Sequence, residues 1–282
     1  MKRFRRLVTL MLIVLLAGCR APLDNVSALP VTNAIVFDQL VIYSNFPLPQ
    51  RHRLLDDLRI QRGDLLAKLN LPPSDEPIHV YLFDSEEHFS RFMAQHHPNF
   101  PTRRAFFLES DTRLAVYAQW GDRVAEDLRH EVAHGYLHSV VRTVPLWIDE
   151  GIAEYFEVPR GTNGINRPHV QLLLDKVLRQ GWRPNLERLE QLASAGEMTQ
   201  DDYAEAWAWT HWMLHTEPAR RDCLHRYLTT LRNQGNAPPL SEALRAVEPQ
   251  REQRLLEHLY ALGSEPPKPS AAPPQYSAAY QP

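Results

Sequence analysis

Residues 122–157 read DRVAEDLRHEVAHGYLHSVVRTVPLWIDEGIAEYFE, and the fold class follows from how this stretch divides. Val124, Leu128 and Val132 recur at helical spacing, so Asp122 is expected to open an amphipathic helix running to about Val141. Pro145 suits a first helical turn and starts a second helix that continues to about Glu157. Upstream the periodicity changes. Ala34–Tyr43 (AIVFDQLVIY) is rich in β-branched and aromatic residues and reads as one strand. Leucines at helical spacing from about Gln50 to Leu69 make a helix that Pro72-Pro73 ends, and Ile78–Phe83 is a second strand. Asp84 or Ser85 then caps a helix carrying Phe89, Phe92 and Met93, and 105–108 with 114–118 flank a hairpin turn. Beyond the Gly/Asn-rich loop at 161–166 the pattern is helical, near 168–180, 201–215, 219–233 and 240–262. Strands early and helices late predict the α+β class, an α+β lobe over 34–160 followed by a mainly helical lobe over 161–263.

The chemistry is expected in the same stretch. His130-Glu131-Val132-Ala133-His134 is an HExxH pattern. Residues four apart share a helix face, so both imidazoles can reach one metal ion, with Glu131 about 100° round and beside the open position. A random chain this rich in His and Glu would contain the pattern about 4% of the time, so context decides. A catalytic zinc site needs three protein ligands and one open position, and Glu150, sixteen residues past His134 on a second helix, can complete a His₂Glu set. The preceding hairpin can offer an edge strand to an extended peptide. His138 continues the i, i+4 series but drifts about 80° from His130, so it is expected to leave the site. Asp149 falls off the Glu150 face and is expected to be exposed, and Arg103–Arg104 to be solvated surface.

HExxH followed by Trp147-x-x-Glu150-Gly151-x-Ala153-x-Tyr155-Phe156-Glu157 resembles the gluzincin group of zinc metallopeptidases, most nearly the bacterial peptidase-MA-like families. The resemblance covers roughly 34–215, and its specificity resides in 130–134 and 147–157. It implies a zincin-like N-terminal lobe, a small mixed sheet plus the active-site helix. It also implies one Zn²⁺ per chain held by His130, His134 and Glu150, with Glu131 as general base. By the thermolysin-like pattern, Glu154 would orient His130 through its other ring nitrogen. An oxyanion donor would come from the helical lobe, with Tyr203 the first candidate and His211 the second. The strand G-x-M-E-N of the aminopeptidases has no counterpart, so recognition of a free N-terminus is not implied. The pattern HExxHxxGxxH fails, because position 137 is Leu and position 140 is Val.

The ends and the composition give the setting. Lys2, Arg3, Arg5 and Arg6 precede an eleven-residue apolar stretch, Leu7–Ala17, broken only by Thr9. That suits a signal peptide over 1–18 and is too short to span a bilayer. Leu16-Ala17-Gly18-Cys19 resembles a bacterial lipobox, which implies acylation of Cys19 and membrane attachment, followed by a tether over 19–33. Arg20 in place of an Asp favours the outer membrane, facing the periplasm. With Cys19 lipidated, Cys223 has no partner and reads as a small core residue. Residues 264–282 form a Pro/Ala-rich tail expected to be disordered. Hydrophobic residues at 44% and charged residues at 23% are ordinary for a globular chain, and a net charge of −3 argues against a nucleic-acid partner. The expected function is a membrane-anchored metallopeptidase acting on peptide or protein substrates in the bacterial envelope. The competing expectation is a catalytically silent zincin-like lipoprotein that binds or assembles envelope components. Retention of all three ligands together with Glu131 favours the enzyme.

Overall fold

A computed structural model describes residues 28–49 and 51–264. The expected signal peptide, Cys19, most of the expected tether and the expected tail from residue 265 lie outside the described residues. Strands β1 (Asn33–Phe37) and β2 (Leu40–Ser44) pair antiparallel. They replace the single strand expected over Ala34–Tyr43. Asp38 adopts φ 55 and turns the chain within the apolar run, a left-handed conformation that Asp tolerates better than most residues. Helix α1 (Arg53–Leu69) ends on Asn70 at φ 53, ahead of the prolines. Strand β3 (Ile78–Phe83) follows, then α2 (Glu86–His96), whose N-terminal amide is capped by the Ser85 hydroxyl. Strands β4 (Ala105–Ser110) and β5 (Arg113–Gln119) form the expected hairpin.

The five strands lie in the order β1-β2-β3-β5-β4, with β2, β3 and β5 parallel and both outer pairings antiparallel. This is a small mixed sheet, and β4 is one of its edges. Alternation sorts its side chains. Ile78, Val80, Leu82, Leu114 and Val116 join the main core with the leucines of α1, while Tyr81, Phe83 and Ala115 turn to the other face against α2. Helix α3 (Val124–His138) lies on the main-core face, and a Cβ on Gly135 would stand 3.0 Å from Ile78. Helix α4 (Leu146–Glu157) follows directly.

The rest of the described chain is helical: α5 (Arg167–Gln180), α6 (Leu186–Leu189), a 3-10 turn at Ala195–Glu197, α7 (Gln200–His215), α8 (Pro218–Gln234), α9 (Leu240–Val247) and α10 (Arg251–Ser264). The expected helix over 240–262 is two helices, because Pro249 cannot continue the hydrogen-bonded ladder. Trp207, Trp209 and Trp212 of α7 are buried, as is Cys223 of α8. One apolar cluster runs from the sheet through α3 and α4 into α7, α8 and α10. Among the described residues no helix is long and apolar enough to cross a membrane.

Candidate metal centre

Helices α3 and α4 bring three donors to one point. His130 Nε2 and His134 Nε2 stand 3.3 Å apart. Glu150 Oε2 lies 3.4 Å from the first and 3.7 Å from the second. Donors about 2.0–2.1 Å from a tetrahedral zinc ion stand about 3.3–3.4 Å from one another, so the three atoms are spaced as such an ion requires. The chemistry of the donors agrees. Glu150 is 6% exposed, and its Oε2 has no hydrogen-bond partner although it is buried. A bare buried carboxylate oxygen beside two imidazole nitrogens is costly unless positive charge sits among them. The two histidines report the same demand. Burial alone would lower both, yet Glu150 and Glu157 hold His130 well above the ordinary histidine range. Asp149 and Glu150 likewise raise His134.

The outer ring nitrogens have carboxylate partners, and these are not the ones expected. His130 Nδ1 meets Glu157 Oε2 at 3.2 Å. Glu154, expected in that role, instead meets His169 Nε2 of α5 at 2.7 Å. Asn166 donates to Glu157 at 2.9 Å and fixes the pair of carboxylates side by side. Helical geometry explains the correction. Seven residues turn a helix by about 700°, which leaves Glu157 within about 20° of Glu150, whereas Glu154 is rotated about 40° away, toward α5. Asp149 is a second correction. It is half-buried, and its Oδ1 lies 2.7 Å from His134 Nδ1. Its other oxygen meets His138 Nε2 at 3.1 Å. His138 is outside the three-donor cluster, as its angular drift implies, but is tied to that cluster through Asp149.

Glu131 lines the same cavity as His130, His134 and Glu150 and is half-buried. Burial raises its carboxyl above the ordinary range, against the pull of both imidazoles and a hydrogen bond from the Phe107 backbone amide. Tyr203 of α7 is 5% exposed and reaches the site from the helical lobe. Its phenol oxygen accepts a 2.8 Å hydrogen bond from Arg103. Burial raises the pKa of this phenol, as does the nearby Glu150 carboxylate. Arg103, expected as solvated surface, is the residue beside the site that the sequence pattern does not mark. It lies in the connection between α2 and β4, where no periodic signal marks it, and only the packing of α7 against the site reveals it. Arg104 does pair on the surface, with Asp127. His211, the second oxyanion candidate, is not at the site. It is buried beside Tyr155 and Trp207, with Nδ1 2.9 Å from His258 Nε2.

Two clefts meet at the cluster. One of about 820 Å³ is lined by charged groups, among them Arg103, Asp127, Glu157 and Arg167. The other, of about 410 Å³, has an apolar wall of Phe100, Pro101, Phe106 and Phe107. Arg103, His130 and Glu131 line both. The edge strand β4 forms part of the apolar wall.

A family model described as "Protein of unknown function (DUF1570)" matches residues 124–240. That segment contains His130, Glu131, His134, Glu150 and Tyr203, and excludes the sheet and Arg103. No curated protein matches the chain.

Proposed function

We propose that this chain is a zinc-dependent metallopeptidase of gluzincin type, anchored to the bacterial envelope through a lipid on Cys19 and facing the periplasm. The observation that carries the reading is the buried, unpartnered Glu150 Oε2 set against His130 Nε2 and His134 Nε2. Two imidazoles and one carboxylate, with no fourth protein donor in that group, are the donor set of a catalytic zinc site. The anchor rests on the sequence alone, on Leu16-Ala17-Gly18-Cys19 and the apolar run before it.

Zinc held there would supply Lewis acidity, acidifying a water toward neutrality and polarising a carbonyl. Glu131 takes the proton of the attacking water and returns it to the leaving nitrogen. Its burial-raised carboxyl suits a base that must release its proton again near neutral pH. Tyr203 uses its oxygen to accept from Arg103, so its own O–H remains to be donated. That phenol and the Arg103 guanidinium together supply positive potential where an oxyanion forms. The unpaired side of β4 offers backbone groups to an extended peptide.

The test uses the purified full-length chain. Wild type is expected to hold one zinc per chain, with strong loss in His134→Ala and Glu150→Ala. Glu131→Gln is expected to keep its zinc and to lose about 10²–10⁴-fold in peptide hydrolysis. Absence of zinc in the reconstituted wild type would overturn the reading. Stoichiometric zinc without cleavage across a protein and peptide panel would move the site to a binding role.

A further inference from the structure

The metal cluster uses one side of His134; the other side begins a chain of four side chains. His134 Nδ1 donates to Asp149 Oδ1 at 2.7 Å. Asp149 Oδ2 accepts from His138 Nε2 at 3.1 Å, and His138 Nδ1 donates to Glu109 Oε2 at 2.6 Å. Asp149 thus engages both oxygens and His138 both nitrogens. The chain ends on β4, which carries Glu109. The same strand supplies Phe107, whose ring stacks on His134 at 5.8 Å and 17° and lies against His138 at 5.1 Å. His134 is therefore held at its ring face and at its outer nitrogen, and His138 at both nitrogens beside the same phenyl ring.

This arrangement determines which atom His134 presents to a metal. An imidazole that donates from Nδ1 carries its lone pair on Nε2. A carboxylate held at both oxygens cannot swing away from that donor, and a histidine held at both nitrogens cannot swing away from the carboxylate. The same side chains could be read as a second ion site, since donors of His134, His138 and Asp149 lie near one another. The distances favour hydrogen bonds. Within that group the His134–Asp149 contact of 2.7 Å is the length of a charge-assisted hydrogen bond and is well short of the roughly 3.3 Å between donors around a zinc ion, and the His138–Asp149 contact is 3.1 Å.

We propose that Asp149, His138 and Glu109 form a positioning relay that sets the metal affinity of His134 from the edge strand β4. The inference rests on the zinc reading of the site. None of the three residues belongs to the donor set, and each acts through the next.

The experiment measures zinc affinity of the full chain by competition with a chromophoric chelator, for wild type, Asp149→Asn, His138→Gln and Glu109→Gln. Visible spectra of the cobalt-substituted proteins and thermal melts of the metal-stripped proteins accompany it. Asp149→Asn, nearly isosteric, is expected to weaken zinc about 10–100-fold. His138→Gln and then Glu109→Gln should follow with successively smaller losses. Cobalt bands should shift in the same order, a change at the metal that a purely structural role would not produce even where the metal-stripped melts fall with the weakened buried contacts. Wild type holding one zinc with all three variants within about twofold of its affinity would overturn the relay and leave the metal site standing. Two ions in wild type falling to one in His138→Gln would replace the relay by a second metal site. A wild type that binds no zinc would remove the site itself, a result distinct from either.

Discussion

Glu154 and Glu157 sit three residues apart on one helix, both buried or half-buried, yet the structure gives them different partners. Glu157 touches His130 of the three-donor cluster, whereas Glu154 ties α4 to α5 through His169. Their substitutions should therefore separate. Glu157→Gln is expected to weaken zinc binding about 10–100-fold, because a neutral amide holds the His130 Nδ1 proton less firmly. Glu154→Gln is expected to keep zinc affinity within about threefold of wild type. It should instead lower stability by about 1–3 kcal/mol, the usual loss on weakening a buried charged hydrogen bond. Chelator competition and urea denaturation on the two variants check this. The reverse ranking would restore Glu154 to the role that the family resemblance implied.

Helix α4 carries Glu150 on one side and must lie almost in contact with α7 on the other. Gly151 permits this. A Cβ there would stand 2.5 Å from the Ala206 carbonyl oxygen and 2.5 Å from Thr210 Oγ1. The carbonyl belongs to the α7 backbone and cannot move aside without shifting that helix. Gly151→Ala is therefore expected to destabilise the protein by about 1–3 kcal/mol despite the better helix propensity of Ala. Because Glu150 is the preceding residue, zinc affinity should fall as well. Denaturant midpoints and metal content on the same preparation test both parts. A variant as stable as wild type would mean that the two helices are not held this close. The glycine of the Glu-Gly-x-Ala pattern is thus explained by the packing of α4 against α7.

Across the whole molecule, the seam between α4, α7 and α10 holds a second group of histidines. His211 and His215 stack at 4.4 Å, His258 bonds to His211, and His215 meets the Tyr155 hydroxyl at 2.6 Å. Burial pushes His215 down to about 4, helped by Lys68 and Arg221. Burial likewise takes His258 to about 4, helped by His215 and Arg220, and holds His211 well below the ordinary value. Unfolded histidines titrate near 6.5, so between about 6.5 and 4 the unfolded chain binds more protons than the folded one. The stabilisation is complete above that window and is lost as pH falls through it. His258→Gln is expected to lower proton uptake on unfolding near pH 5 by about one, seen as a shallower slope of unfolding free energy against pH. An unchanged slope would show that His258 is not held neutral in the folded protein.

Most of the elements and the three candidate donors are legible in local spacing. Helical periodicity over 122–157, the HExxH spacing and one carboxylate on the following helix are local facts, and α3, α4 and the three donors are where local spacing puts them. The β4–β5 hairpin and the order of most helices were legible for the same reason. Where a turn residue such as Asp38 or a breaker such as Pro249 lay inside an apolar run, the periodicity hid the break. Which groups surround the donors is set mainly by packing. The Asp149–His138–Glu109 chain, Arg103 against Tyr203 and the exclusion of His211 all depend on how separate elements pack together, whereas the choice of Glu157 over Glu154 follows from rotation along α4 itself. A helix repeats every 3.6 residues, so the sequence tells which residues share a face. The angle and distance at which that face meets another element come from packing among residues far apart in the chain.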